Sequence, residues 1–247
     1  MDRACAIVPS FNAAATLGKV VTELNEHLAV PVIVVDDGST DATREVAKAH
    51  AAVALRHERN RGKGAAIRTG LLEAARGGFR VAVTVDADGQ HPVASARIVL
   101  DASDDPRALV LGVRDLVRDG APVSNRIGNG VANFFLSKFA RRALRDTQCG
   151  LRRYPVKETL DLGCRADGYA FEGEVVLRAL GAGLPVVEVG VAAVYRARGE
   201  GQTHFHRVLD PTRIVATVVR TVFELAIRGK GTPTQRITEE RKVGGMR

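Results

Sequence analysis

Hydrophobic and polar positions in the first 112 residues follow two alternating rhythms. Four unbroken, largely apolar runs occur: Ala4-Cys-Ala-Ile-Val8, Pro31-Val-Ile-Val-Val35, Arg80-Val-Ala-Val-Thr-Val85 and Ala108-Leu-Val-Leu111. Runs of this length, rich in β-branched residues and bounded by turn residues, predict strands buried on both faces. A shorter strand is expected near 53–56. Between the runs, apolar residues recur at helical spacing. Leu17, Val20, Val21, Leu24 and Leu28 predict an amphipathic helix over 16–28. Further helices are expected over about 41–51, where Ser39, Thr40 or Asp41 offers a cap, and over 64–76 and 93–102. Strands alternating with helices predict an α/β fold with a mostly parallel sheet flanked by helices.

After Leu111 the pattern coarsens. A long helix bearing Phe134, Phe135, Leu136 and Phe139 is expected over 124–144. A polar loop, 146–152, follows it. Gly168-Tyr-Ala-Phe171-Glu172-Gly-Glu174 opens a helix over 172–182. Val186–Val194 reads as one or two strands broken at Gly190, and a basic loop leads on from Tyr195. From Pro211 to Arg228, apolar residues recur at steps of three and four, interrupted by Arg213, Arg220, Glu224 and Arg228. That amphipathic helix is too charged to span a bilayer. It reads either as a membrane-interfacial helix or as a packing or dimer helix. The polar tail 229–247 is expected to be disordered.

Composition narrows the classes. The 45% apolar content supports a proper core. Three widely spaced cysteines without a C-x-x-C pair exclude a disulfide framework and a structural zinc site, and suit a reducing cytoplasm. Neither a signal peptide nor an apolar run of membrane-spanning length is visible. The net charge of +8 is uneven, because residues 196–247 hold 11 of the 36 Lys/Arg but only 5 of the 28 Asp/Glu. Such a basic end expects an anionic partner. With three Tyr, eight Phe and no Trp there is little aromatic interleaving for stacking on bases, which argues against nucleic acid.

The chemistry centres on Val83-Thr-Val-Asp86-Ala-Asp88-Gly-Gln90-His91-Pro92. A bare Asp-x-Asp is common at loops. Here it follows a buried strand, where open α/β sheets bind ligands, and a second acid pair, Asp36-Asp37, ends another strand. Asp86 and Asp88, with the amide oxygen of Gln90 in reach, suit Mg²⁺ or Mn²⁺ shared with substrate phosphates. The loop Asn60-Arg-Gly62-Lys63-Gly64 is not a P-loop, and no G-x-G-x-x-G follows the first strand.

Four stretches fall in an order that resembles the inverting glycosyltransferases of family 2: Val8-Pro9-Ser-Phe11-Asn12, Val34-Val-Asp36-Asp37-Gly38-Ser39, Asp86-Ala-Asp88-Gly-Gln90-His91-Pro92 and Asp146-Thr-Gln-Cys-Gly150. The third is most similar to dolichyl-phosphate mannose synthases and bacterial polyprenyl-phosphate sugar synthases. The resemblance implies a GT-A fold over residues 1–210, with a nucleotide-sugar half (1–112) and an acceptor half (113–210). It implies a nucleotide sugar as donor and a divalent metal. Pro9, Phe11, Asp36 and Asp37 would line the base and ribose pocket. Lys63, Asp86, Ala87, Arg196 and Arg198 would meet the rest of the nucleotide sugar, while Asp88 and Gln90, with Asp86, would hold the metal. Arg114 and Arg126 would meet the acceptor phosphate, and Asp146 and Glu174 would lie near the sugar. Three positions depart from the pattern: Ala13 replaces a Glu, Gln202 stands where a Lys is expected, and Gly130 replaces a Ser.

These residues imply transfer of a hexose, from a GDP-mannose or UDP-glucose type of donor, to a polyprenyl phosphate. The enzyme is expected to be cytoplasmic and peripheral on the membrane, with homo-oligomerisation left open. A phosphate acceptor is already anionic and needs positioning by Arg114 and Arg126 more than deprotonation. Two alternatives stay open. A hydroxyl acceptor would need a general base, for which Glu174 or Asp146 is the candidate. A non-catalytic nucleotide-sugar-binding regulator would account for the departures at 13 and 202. The sequence also leaves three side chains with modest readings: Glu172 as a residue favouring a helix N-terminus, His204 and His206 as loop residues, and Cys149 as a packed thiol.

Overall fold

The computed structural model describes residues 3–195 and 209–227. Its strands are β1 (Ala4–Ser10), β2 (Val32–Asp36), β3 (Val53–Arg56), β4 (Val81–Thr84), β5 (Leu109–Arg114), β6 (Arg152–Pro155) and β7 (Val186–Val191). They form one seven-stranded sheet in the order β3-β2-β1-β4-β6-β5-β7. All neighbours pair in parallel except β6, which is antiparallel to both β4 and β5. Since β6 reverses direction twice over, β4 and β5 still run the same way. The carboxyl ends of β1, β2, β4, β5 and β7 therefore share one edge of the sheet, where ligands of open α/β sheets bind.

The helices are α1 (Ala14–His27), α2 (Thr43–His50), α3 (Lys63–Arg76), α4 (Val93–Asp101), α5 (Val123–Ala140), α6 (Val156–Asp161), α7 (Ala170–Gly181) and α8 (Leu209–Ile227). Side-chain alternation along the central strands divides the core in two. Cys5, Ile7, Ile33 and Val35 face one layer with α3, α5, α7 and α8, while Ala6, Val8, Val32 and Val34 face the other with α1 and α4. In α1 the periodic residues Leu17, Val20, Val21 and Leu24 are buried as their spacing predicts, each contributing roughly 1.5–3 kcal/mol of transfer free energy.

Three expectations need correction. The polar loop after α5 gives way at Arg152 to β6, a strand between two others, followed by the short helix α6. The expected helix 124–144 stops at Ala140, because Arg141 takes a left-handed conformation (φ 49°). Val186–Val191 is one strand that contains Gly190 rather than two strands broken there.

The helix expected from Pro211 exists as α8, and it packs. Val218 and Thr221 are buried, Leu225 lies 3.1 Å from where a Cβ at Gly181 would stand, and Glu224 pairs with Arg178 of α7. Among the described residues no helix is long and apolar enough to cross a membrane. Arg196, Arg198, His204, His206 and the tail 229–247 lie outside the described residues.

Candidate active site

The turn after β4 is held on three sides before any ligand is considered. Asp88 Oδ1 accepts the Gln90 N–H at 2.9 Å, Ala87 O accepts the Thr16 hydroxyl at 2.6 Å, and Gln90 O accepts the Val194 N–H at 2.8 Å. Asp86 meets Lys63, from the start of α3, with Nζ–Oδ1 at 2.7 Å; the same ammonium lies 3.1 Å from Glu172 Oε1 on α7. Gly150 leaves the space for this triplet, since a Cβ there would collide with the Asp86 carboxylate and the Lys63 ammonium. Burial opposes charge on both partners, yet their mutual attraction prevails: the Asp86 carboxyl is held below its ordinary range and the Lys63 ammonium above its own. Asp88 goes the other way. Burial, and then repulsion from Asp86, raise its carboxyl to about 6.

Two adjacent carboxylates that repel one another make a donor set suited to a hard cation. Among the described residues no group of three or more His, Cys, Asp or Glu side chains is arranged to hold a metal. Asp86 and Asp88 therefore fit a cation whose remaining ligands are an amide such as Gln90, substrate oxygens and water, the usual situation of Mg²⁺ or Mn²⁺ beside a diphosphate.

The pocket beside this turn is built from the ends of β1 and β2, where Pro9 is buried and Phe11 half-buried. Asn12 N donates to Ser39 Oγ (2.9 Å), Thr40 N to Asn12 Oδ1 (2.9 Å) and Ala13 N to Thr43 Oγ1 (2.8 Å), so the two loops are laced together. The two aspartates of Asp36-Asp37 differ. Asp37 accepts the N–H groups of Arg61 (2.9 Å) and Gly62 (2.7 Å), and His57 Nδ1 lies 2.6 Å from its Oδ1. It is committed to the loop that leads to Lys63. Asp36 accepts Ser39 N at 2.9 Å, but its Oδ2 is buried without a hydrogen-bond partner, 3.6 Å from Arg56 Nε. Asp36 Oδ2 thus keeps hydrogen-bonding capacity while in ion-pair contact with Arg56, whereas both oxygens of Asp37 accept hydrogen bonds.

Across the cleft a cavity of about 730 Å³ opens at the ends of β5 and β7. Four arginines line it, Arg114, Arg118, Arg126 and Arg145, with the exposed Asp115 as the lining carboxylate. Arg114 is gripped by Asp146: Nε–Oδ2 is 2.7 Å, Nη2–Oδ1 is 3.0 Å, and the Arg114 backbone N–H adds a bond of 3.2 Å. Gln148 N also donates to Asp146 Oδ1. Asp146 is 1% exposed with both oxygens occupied, so it orients Arg114 and is not poised as a base. Arg126 Nε and Asn129 Oδ1, one helical turn apart on α5, are buried without hydrogen-bond partners, as is the Tyr195 hydroxyl nearby. Buried polar atoms are seldom left so, and their gathering at one cavity points to a ligand that completes them.

Glu174 lies elsewhere, against the expectation that it sits near the sugar. It is fully buried on the opposite face of α7, where it accepts the Arg165 and Ala166 N–H groups and the Arg178 guanidinium. Glu172, two residues earlier, is the one that faces Lys63. Residues two apart on a helix project about 200° around its axis, so both cannot enter one site. Sequence reasoning also missed Arg152. This fully buried side chain donates to Cys149 O (2.9 Å), Thr147 O (2.8 Å) and Glu172 O (2.7 Å), joining the 147–150 loop to α7. His57 was missed too. Cys149 is a packed thiol as expected, pushed up to about 12 by burial and then by Asp146.

The comparisons agree with this architecture. A profile described as "Glycosyl transferase family 2" matches residues 5–156. Polyprenol monophosphomannose synthase of Mycolicibacterium smegmatis is 31% identical over 215 residues, covering 80% of each chain. UDP-N-acetylglucosamine–dolichyl-phosphate N-acetylglucosaminyltransferase of Methanococcus voltae is 29% identical over 214 residues, 76% of this chain and 84% of the relative. Glucosyl-3-phosphoglycerate synthase of Mycobacterium tuberculosis, solved with Mn²⁺, UDP and glucosyl-3-phosphoglycerate, superimposes with a TM-score of 0.69 at 20% identity, over 90% of this chain and 80% of that one. The likeness to that structure identifies the sheet and its helices as the GT-A fold.

Proposed function

The chain belongs to glycosyl transferase family 2, and from that premise we propose that it moves a hexose from a nucleotide sugar to a polyprenyl phosphate, with inversion at the anomeric carbon. Three features of the donor side support this. Asp36 would offer the base or ribose a buried oxygen that contacts Arg56 but accepts no hydrogen bond. Lys63 brings a positive charge to the place of the diphosphate, and Asp86 and Asp88 with Gln90 would hold Mg²⁺ or Mn²⁺. The bound cation would offset charge on the leaving diphosphate. The relatives named for polyprenol and dolichyl-phosphate acceptors favour the same reading.

The observation that carries the acceptor assignment is the cavity itself, where four arginines gather: Arg114, Arg118 and Arg145 are held by Asp146, Asp119 and Glu188, and a buried Arg126 Nε lacks a hydrogen-bond partner. Guanidinium matches phosphate geometry. A phosphate oxygen held there attacks the anomeric carbon as the bond to the nucleoside diphosphate breaks, and no proton must be removed first. A hydroxyl acceptor would need a base, and the two carboxylates expected to serve, Asp146 and Glu174, have their oxygens occupied.

A lipid tail requires an apolar exit. Val117 in the cavity wall and Val123, Val131 and Phe134 of α5 are exposed, and on α8 so are Val219, Phe223 and Ile227, at steps of four residues. One face of α8 packs while the other offers an apolar stripe, which favours peripheral contact with a bilayer.

Labelled UDP- and GDP-hexoses, incubated with Mn²⁺ and a polyprenyl phosphate, test the whole reading. Label is expected in the organic phase as a phosphodiester. Transfer to a hydroxyl acceptor with none to polyprenyl phosphate would overturn the acceptor assignment. A Phe134→Ser/Phe223→Ser double variant is expected to lose most of its binding to liposomes; undiminished binding would remove the apolar stripe from the account.

A further inference from the structure

Glu174 is fully buried, yet takes no part in the cluster of Lys63, Asp86 and Glu172. Each of its oxygens has a separate duty. Oε1 accepts Arg178 Nε at 2.9 Å, and that guanidinium continues to Glu224 of α8. Oε2 accepts the N–H groups of Arg165 and Ala166, both at 2.8 Å. The loop so held runs on through Asp167 and Gly168, and the turn that begins α3 lies on it. Asp167 O accepts the Ala65 N–H at 3.0 Å. Arg68 of α3 donates to Ala166 O and pairs with the Asp167 carboxylate.

The fit between loop and turn allows no slack. Gly62 has φ +97°, and a Cβ there would stand 2.5 Å from Asp167 O; a Cβ at Gly64 would stand 2.7 Å from Ala166 O and collide with Phe171. Lys63 sits between these two glycines. Where residues 165–168 move, its backbone must move with them. A buried carboxylate that accepts two backbone N–H groups and a guanidinium is strongly held, because withdrawing one partner leaves the others desolvated and unpaired.

We propose that Glu174 is a positioning residue for Lys63. It fixes residues 165–168, these fix the turn Gly62-Lys63-Gly64, and the Lys63 ammonium is thereby held between Asp86 and Glu172. Through Arg178 and Glu224 the same carboxylate ties that position to the docking of α8. The inference rests on the reading of this cleft as the nucleotide-sugar site, and a purely structural Glu174 would not require it.

A double-mutant cycle separates these possibilities. Calorimetry measures the binding of UDP and of GDP, each with Mn²⁺, to the wild type, Lys63→Met, Glu174→Gln and the double variant. If the wild type binds neither nucleotide, the reading of the cleft fails and the proposal with it. If the wild type binds, each single variant is expected to weaken binding by about tenfold, and the double variant no further than the weaker single one, because both act through one contact. Additive losses, or wild-type affinity in Glu174→Gln, would overturn the proposal. Should Glu174→Gln fail to fold, Asp167→Ala replaces it in the cycle. That change lies at the exposed end of the same loop, and a loss of about threefold is expected, again absent in the Lys63→Met background.

Discussion

On one side of the cleft a single ammonium, Lys63, stands among three carboxylates, Asp86, Asp88 and Glu172; on the other, four arginines line a cavity whose lining carboxylate is the exposed Asp115. The first side is left with excess negative charge; on the second, Arg114, Arg118 and Arg145 are paired with Asp146, Asp119 and Glu188, and Arg126 keeps a buried Nε without a hydrogen-bond partner. Each side also contains an ion pair with the same shortest N–O distance, the half-buried Lys63–Asp86 at 2.7 Å and the bidentate Arg114–Asp146 at 2.7 Å. The pairs differ in what remains free. Asp86 has a second carboxylate beside it and could share a cation, whereas Asp146 has spent both oxygens on the Arg114 guanidinium and two backbone N–H groups. On the proposed reading the Lys63–Asp86 pair would take part in the donor-side chemistry, whereas the Arg114–Asp146 pair would serve as scaffold for the acceptor side. The first side would then take up a cation between its carboxylates, and the second an anion at the buried Arg126 Nε that lacks a partner.

The comparison breaks most visibly at Asp88. Asp88→Ala is expected to lower kcat by about a thousandfold or more while the melting temperature stays within a few degrees, and excess chelator should do the same to the wild type. Full activity in chelator would remove the cation from the donor side. Arg126→Met is expected to lower kcat/KM for a phosphate acceptor by about a hundredfold, with KM for the nucleotide sugar unchanged. Equal damage to both substrates would show that the two sides are not separable.

Asp146→Asn should be milder. It loosens Arg114 and is expected to cost about 10- to 30-fold in kcat/KM for the acceptor, whereas loss of a general base would cost up to about 10⁴-fold in kcat. A loss on the larger scale would return Asp146 to the role of base.

The last effect concerns stability. Asp88 is raised to about 6 by burial and by Asp86, so its ionised form is less favourable in the folded chain than in the unfolded one. That penalty is present above pH 6 and vanishes as pH falls below about 4, where the carboxyl is protonated in both states. Asp88→Asn is therefore expected to stabilise the protein, measured without metal or nucleotide, by up to about 3 kcal/mol at pH 7.5 and by close to nothing at about pH 3. Denaturant melts at the two pH values check it. Mn²⁺ affinity of the wild type is expected to fall as pH drops through 6, since the cation competes with that proton.

Much of this was legible before the fold was known, and the exceptions share a cause. The central strands announced themselves because both faces are covered by helices, so every residue of β2 and β4 is buried. β6 did not, because Arg152-Arg-Tyr-Pro looks like a surface segment. Its arginines are buried only because carbonyls from distant segments receive them, those of Cys149, Thr147 and Glu172 for Arg152, and those of Leu100, Ser103 and Asp105 for Arg153. Likewise Asp36 and Asp37 are adjacent and chemically alike. Which one keeps an oxygen that accepts no hydrogen bond depends on where the 57–62 loop folds back.

By itself, then, the chain's order of residues determined the alternating α/β layers, the acidic turn 86–90 at a strand end, the second acid pair and the arginines beyond them. All of these follow from local periodicity, turn chemistry and the spacing of charged residues along one element. The tertiary structure alone decided each acid's partners: Asp36 contacts Arg56 while Asp37 holds the backbone of Arg61 and Gly62, Asp146 holds Arg114, and Glu172 faces Lys63 while Glu174 holds the backbone of Arg165 and Ala166. A carboxylate's role is set by the partners that other elements of the fold bring to it, as α3 brings Lys63 to Glu172 of α7. Those partners are assembled by packing, which no local pattern encodes.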